Sequence, residues 1–205
     1  MANTETTIDA VMHPQPNETP IDIEKTIKAL ERNKFIVHYF ETGSEAVTYL
    51  KNRIQNKCVA IGDSRTLLEI GVHDALSEVN EDITDIQRPL PGESFRDTAL
   101  RTMGRDVFLT SVNALSQTGE MVNIDGTGNR VAASLFGSQE VFFVLGVNKI
   151  TPDLASAIYP QPPAGRIERR KERASKRTKR ALSIRVLPWT KNATTAALQI
   201  AYVMP

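Results

Sequence analysis

Residues 140–146, Glu140-Val141-Phe142-Phe143-Val144-Leu145-Gly146, place a row of apolar side chains between a carboxylate and a glycine. A strand with one wet face alternates apolar and polar residues, whereas a short unbroken apolar run fits a strand covered on both faces. Cys58-Val59-Ala60-Ile61-Gly62 has the same character, and Asp106-Val107-Phe108-Leu109-Thr110-Ser111 reads as a further strand. Phe35-Ile36-Val37-His38-Tyr39-Phe40 reads as a short strand, with weaker ones near Ile83 to Ile86 and Met121 to Ile124.

Helical periods fill the gaps. Ile23, Ile27 and Leu30 recur at helical spacing after Asp22, and Ala46, Val47 and Leu50 follow the capping run Gly43-Ser44-Glu45. Ser64 is a candidate N-cap for a helix whose stripe runs through Leu67, Leu68, Ile70, Val72, Ala75 and Leu76. Further helices are expected over about Ser94 to Met103, Asn129 to Phe136 and Thr151 to Ile158, with Pro152 suited to a first turn. Helices alternating with continuous apolar strands predict an α/β fold, a mainly parallel sheet flanked by helices.

The chain of 205 residues, 40% hydrophobic and 24% charged, fits one globular domain. No apolar run approaches the roughly 18 residues that cross a bilayer, and the first twenty residues lack the apolar core of a signal, so a cytoplasmic location is expected. Those residues have no apolar period and read as a disordered or loosely attached arm. Cys58, the one cysteine, cannot close an internal disulfide or hold an iron–sulfur cluster unaided, and its strand-like flanks suggest a buried, inert thiol. His13, His38 and His73 show no metal-ligand spacing, and no metal site is expected.

In an open parallel sheet the ligand lies beyond the carboxyl ends of the strands, so the loops leaving them hold the candidate residues. After Val59 come Asp63, Ser64 and Thr66; after Leu109 come Thr110, Ser111 and Asn113; after Val144 come Asn148 and Lys149. The longest candidate is Asn123 with Asp125-Gly126-Thr127-Gly128-Asn129-Arg130, where glycines let the backbone approach a ligand and the next helix aims N–H groups at an anion. Arg130 offers a planar fork for carboxylate or phosphate, or else is a solvated helix residue after a tight turn. Lys149 is an anion ligand, a nucleophile, or a surface lysine; Asp63 or Ser64 could simply cap a helix. Glu69 is a proton-transfer candidate with no placed partner. The dinucleotide fingerprint fails at Val131, where a third glycine belongs, and no Gly-Lys-Ser/Thr follows to make a phosphate loop. Catalytic residues are left unassigned.

The stretch from Thr110 to Ala132, with Thr110-Ser111-Val112-Asn113-Ala114 and Asn123-Ile124-Asp125-Gly126-Thr127-Gly128-Asn129-Arg130, resembles the central signature of the LUD family, which includes lactate utilization protein C. Gly146-Val147-Asn148-Lys149-Ile150 and Gly62-Asp63-Ser64-Arg65-Thr66-Leu67-Leu68-Glu69-Ile70-Gly71 resemble two more of its blocks, so the likeness covers roughly residues 22 to 158. The resemblance implies a Rossmann-like fold related to the sugar-phosphate isomerase and CoA-transferase-like superfamily. It also implies a role in oxidising lactate to pyruvate beside iron–sulfur and flavin-type partner proteins, which would carry the redox cofactors.

Beyond Ile158 the periodicity and the resemblance fail together. Up to Gly165 there are 14 basic and 22 acidic residues, whereas Arg166 to Arg185 holds ten basic and two acidic, an acidic body with a basic tail. Family members are expected to continue into a cysteine-rich stretch that is missing here. The expected organisation is therefore an arm over residues 1–20, a LUD-like domain over 21–158, and an atypical tail over 159–205, out of frame or poorly ordered. Three functions stay open: an accessory or subunit of lactate oxidation binding a small anionic metabolite; an independent enzyme on an acyl-CoA or sugar-phosphate substrate; and a basic-tailed nucleic-acid-binding module. The third is disfavoured by the lack of aromatic residues in the basic run.

Overall fold

The computed structural model describes residues 20–158, 181–186 and 199–203. The expected N-terminal arm and the basic run from Arg166 to Arg180 lie outside the described residues.

The first half of the chain alternates as its periodicity predicts: α1 (Ile23–Arg32), β1 (Ile36–Phe40), α2 (Gly43–Arg53), β2 (Cys58–Ile61), α3 (Arg65–Glu69), α4 (Val72–Ser77), β3 (Asp82–Asp85), α5 (Phe95–Arg101) and β4 (Val107–Thr110). Side-chain caps start the helices. Asp22 accepts from the Lys25 N–H at 2.9 Å, Thr42 and Glu45 form a reciprocal capping box, and Ser94 accepts from Asp97. The single helix expected after Ser64 is two, because Gly71 adopts φ +74°, a left-handed conformation that follows the cap residue Ile70 and ends the first helix at Glu69.

The second half holds β5 (Ala114–Ser116), β6 (Met121–Asp125), α6 (Asn129–Leu135), β7 (Glu140–Gly146), a 3-10 turn (Val147–Lys149), β8 (Ile150–Thr151) and α7 (Leu154–Ile158). The helix expected from Thr151 starts later, since Thr151 pairs in a strand and the Asp153 carboxylate accepts from the Ser156 N–H at 2.8 Å. Two strands lie beyond the point where periodicity fails, β9 (Ala181–Val186) and β10 (Gln199–Val203).

Six strands form the main sheet in the order β1-β9-β7-β4-β2-β3. Four of them, β7, β4, β2 and β3, run parallel, and β9 lies antiparallel between β1 and β7. A smaller sheet, unforeseen in the sequence, has the order β10-β6-β5-β8. The alternation along β7 sorts the core. Val141, Phe143 and Leu145 join Leu30 of α1, Leu115 and Met121 of the small sheet, and Ala133 of α6 on one face. Phe142 and Val144 join Leu50 of α2, Ile54 just after it, Leu67 of α3 and Leu76 of α4 on the other. Both faces are covered, which is why β7 carries no polar residue between its ends.

Cys58 is half-buried instead of buried. A hydrogen bond to Asp82, with desolvation behind it, pushes its thiol up, which keeps it protonated and unreactive at neutral pH.

At the outer end of the sheet, Arg101 of α5 grips Glu93 through Nε and Nη2, at 2.5 and 2.8 Å. The guanidinium, helped by the Leu90 N–H, holds the Glu93 carboxyl down to about 2. A carboxyl whose pKa is lowered on folding stabilises above its unfolded value of about 4.3, and that contribution fades as pH falls toward 2. Acid titration of Glu93→Gln followed by circular dichroism is expected to lose less stability between about pH 4.5 and 2 than the parent.

Candidate ligand-binding site

The chain leaves β2 toward β3 on one side and β4 toward β7 on the other, so the crevice outside the ends of β2 and β4 is a topological switch point. Its two loops touch. The Gly62 N–H donates to the Leu109 carbonyl at 2.8 Å, and a Cβ at Gly62 would lie 3.0 Å from the Phe108 ring and 3.2 Å from Thr110 Oγ1. Only glycine permits that approach.

On the β4 side, Thr110 and Ser111 are buried, and Lys149 reaches across from the turn after β7. Lys149 Nζ donates to Ser111 Oγ at 2.7 Å and to the Val112 carbonyl at 2.8 Å, so it is a half-buried, positioned ammonium and not a solvated one. Asn113 Oδ1 accepts from the Ile124 N–H and from Arg130 Nη2, both at 2.9 Å, tying the loop after β4 to the end of β6. Arg130 Nη2 also donates to the Ile124 carbonyl at 2.6 Å.

The glycine loop has a different use from the one its sequence suggests. Asp125 Oδ2 accepts from the N–H groups of Arg130 and Val131 at 2.9 and 3.1 Å, and Oδ1 accepts from Thr127 N–H at 3.3 Å. The protein's own carboxylate fills the start of α6, where an external anion had been expected. Asn123 on the same strand face is completely buried, and neither its Oδ1 nor its Nδ2 has a partner among the described residues; Arg130 Nε is also buried and unpartnered.

The other candidates separate from this group. Thr127, Gly128 and Asn129 face an apolar groove of about 460 Å³ walled by Phe95, Leu100 and Met103. Asn148 is exposed, and Thr66 is half-buried on α3. On the β2 side, Ser64 is the cap of α3, accepting from Leu67 N–H at 3.3 Å, while Asp63 accepts from Gln87 Nε2 at 2.6 Å. Glu69 is ion-paired with Arg65 at 3.1 Å.

Sequence reasoning passed over one pair. His73 of α4 meets Asp85, at the carboxyl end of β3, through Nδ1 to Oδ2 at 2.8 Å, and the other carboxylate oxygen accepts from Gln87 N–H at 2.9 Å. The rule that selected the other loops applies equally to the one leaving β3, but Ile83 to Ile86 is too weak a strand signal to bring it forward. His73, Asp85, Ser64, Gly62 and Arg88 surround a small cavity of about 90 Å³. Among the described residues no three His, Cys, Asp or Glu side chains are grouped to hold a metal, and no helix is long and apolar enough to cross a membrane.

Comparison with protein families matches the chain to the LUD domain over residues 23–183. That range runs from the first residue of α1 into β9. No curated protein and no solved structure matches the chain.

Proposed function

The chain belongs to the LUD domain family, which is associated with lactate utilization proteins, and on that premise we propose that it serves the oxidation of lactate to pyruvate as an accessory protein or subunit. In this reading it binds a small anionic metabolite at the strand ends around Ser111, Asn123, Arg130 and Lys149, and the redox group sits on a partner protein of iron–sulfur or flavin type.

The supporting observation is Asn123. A buried polar group without a partner costs about 1–3 kcal/mol, and native proteins leave few of them without a reason such as a bound ion, ligand or water. An anion reaching Asn123 Nδ2 or Arg130 Nε would satisfy a donor that now has no partner among the described residues, and the Lys149 ammonium, already oriented by Ser111, offers charge.

Replacing Asn123 by leucine, close to it in shape, tests this directly. The unliganded variant is expected to be about 1 kcal/mol more stable than the parent, because an apolar group replaces an unsatisfied one. Thermal unfolding with lactate, pyruvate, a phosphorylated sugar or coenzyme A should show a shift with one ligand in the parent and none in the variant. A ligand at about 100 times its dissociation constant stabilises by about 2.7 kcal/mol. A shift that survives Asn123→Leu would move the ligand elsewhere, and a shift with coenzyme A or the sugar phosphate alone would favour an independent enzyme.

A further inference from the structure

Helices α5 and α6 cover the same face of the main sheet, since Met103 beside α5 and Ala133 of α6 both pack on the core that holds Val141, Phe143 and Leu145. Each leads into one of two parallel strands, β4 and β7, so the helices run in the same direction. They converge at their carboxyl ends. The backbones of Gly104 and Gly137, just past them, approach so closely that a Cβ on Gly137 would lie 3.0 Å from Gly104 N and 3.1 Å from its Cα. Toward their amino ends they stand apart, leaving the groove of about 460 Å³ between Phe95, Ala99 and Leu100 on one side and Ala132 with the loop at 127–129 on the other.

The narrow end has the opposite character. Phe136, directly after α6, is 86% exposed, and Leu135 beside it is 56% exposed. Ala132, Leu135 and Phe136 recur at helical spacing and are all exposed, while Leu100 and Phe95 on α5 are exposed by 53% and 50%. Covering Phe136 alone removes most of the roughly 150–250 Å² that an aromatic side chain presents. The four large side chains together expose roughly 500 Å², toward the upper end of the apolar patch a monomer keeps and over half of the roughly 800 Å² per partner in a standard interface.

A protruding apolar end and an apolar cleft on one face make that face complementary to itself. A two-fold axis across the helices turns a second copy end over end, so that each copy's ridge meets the other's cleft in two identical contacts. An unlike partner has to bring both a ridge and a cleft of its own. The charge also fits: Arg96, at the amino end of α5, has no hydrogen-bond or ion-pair partner among the described residues, and the reversed copy brings it the carbonyl end of a helix, which attracts cations. We infer that this face is where two copies of the chain pair, with Phe136 of each seated in the α5–α6 cleft of the other.

Light scattering of the full chain during size exclusion, from about 1 to 200 μM, reads the mass. A dimer is expected, and Phe136→Asp is expected to weaken it at least about a hundredfold, as loss of a central aromatic anchor does. Leu68→Asp, equally exposed at 56% but on α3 across the sheet, should leave it intact. Ala132→Lys blocks the cleft and should also give monomers. Mixing it with Phe136→Asp decides the geometry: one junction of the mixed pair is native and the other sets the new aspartate against the new lysine, so dimers should return. Circular dichroism confirms that each variant is folded. A dimer indifferent to Phe136→Asp, or two monomeric variants that fail to pair when mixed, overturns the inference. So does a parent that is monomeric at every concentration; if Phe136→Asp then lowers its melting temperature, a segment of the chain itself covers the face, and if the melt is unchanged, no second copy or segment does.

Discussion

A chain stopped after Ile158 is expected to lose its cooperative melt and to aggregate. The strand β9 fills the space between β1 and β7, pairing Ala181 to Arg185 with Phe40 to Ile36 on one side and Ala181 to Val186 with Gly146 to Val141 on the other. Without it β1 has no sheet neighbour, and β7, whose centre is fully buried, becomes an open apolar edge with unpaired N–H and C=O groups. Domains hold only about 5–15 kcal/mol in reserve, and losing a strand paired on both edges removes a large share of it. A gentler form of the experiment is Ser183→Pro, at the position that faces both His38 and Val144. Proline removes a ladder N–H and orphans its acceptor, for an expected loss of about 3 kcal/mol in urea unfolding. If the shortened chain melts at the parent's temperature with an unchanged denaturant slope, the domain ends at residue 158 and β9 adds nothing to it.

Asp125→Ala should be the most damaging single change near the candidate site. The carboxylate is buried and takes three backbone N–H groups, those of Thr127, Arg130 and Val131. Alanine leaves these donors without a partner at the start of α6 and also frees the loop that Arg130 and Asn113 hold together. Orphaned buried donors at about 1–3 kcal/mol each, relieved in part by entering water, give an expected loss of about 3 kcal/mol. Asparagine keeps one acceptor oxygen and should lose about half as much. Guanidinium unfolding of the two variants reads both values. Equal stability of alanine variant and parent would mean that these N–H groups reach solvent, reopening the loop as an anion cradle.

The centre of the main sheet was legible because β2, β4 and β7 are buried on both faces, and the runs at Val59, Val107 and Val141 have no other reading at that length. The small sheet was not. Its strands β5 and β8 hold three and two residues, too few for a period, and their burial comes from contact with the main sheet and α7. Strand β9 carries Ser183 and Arg185 among its apolar residues and is specified by pairing on both edges, which no local pattern records. At the candidate site, the strand-end rule selected the loops, and the contacts made within them were not legible. Whether Asp125 invites an anion or is itself the anion depends on a side-chain rotamer, and nothing in Asp-Gly-Thr-Gly-Asn-Arg distinguishes the two. The unpartnered amide of Asn123 likewise exists only in three dimensions.

The position of β9 also sets a clock. About 140 residues separate β1 from the strand that pairs with it, and synthesis at about 5–20 residues per second delivers that partner roughly 7 to 30 seconds after Phe40 has left the ribosome. Throughout that interval β1 waits without a neighbour and β7, once made, waits with it, so the nascent chain offers other chains two adhesive edges. Yield during expression should therefore depend on translation speed and on chaperones that shield strands, even for variants whose finished form is as stable as the parent.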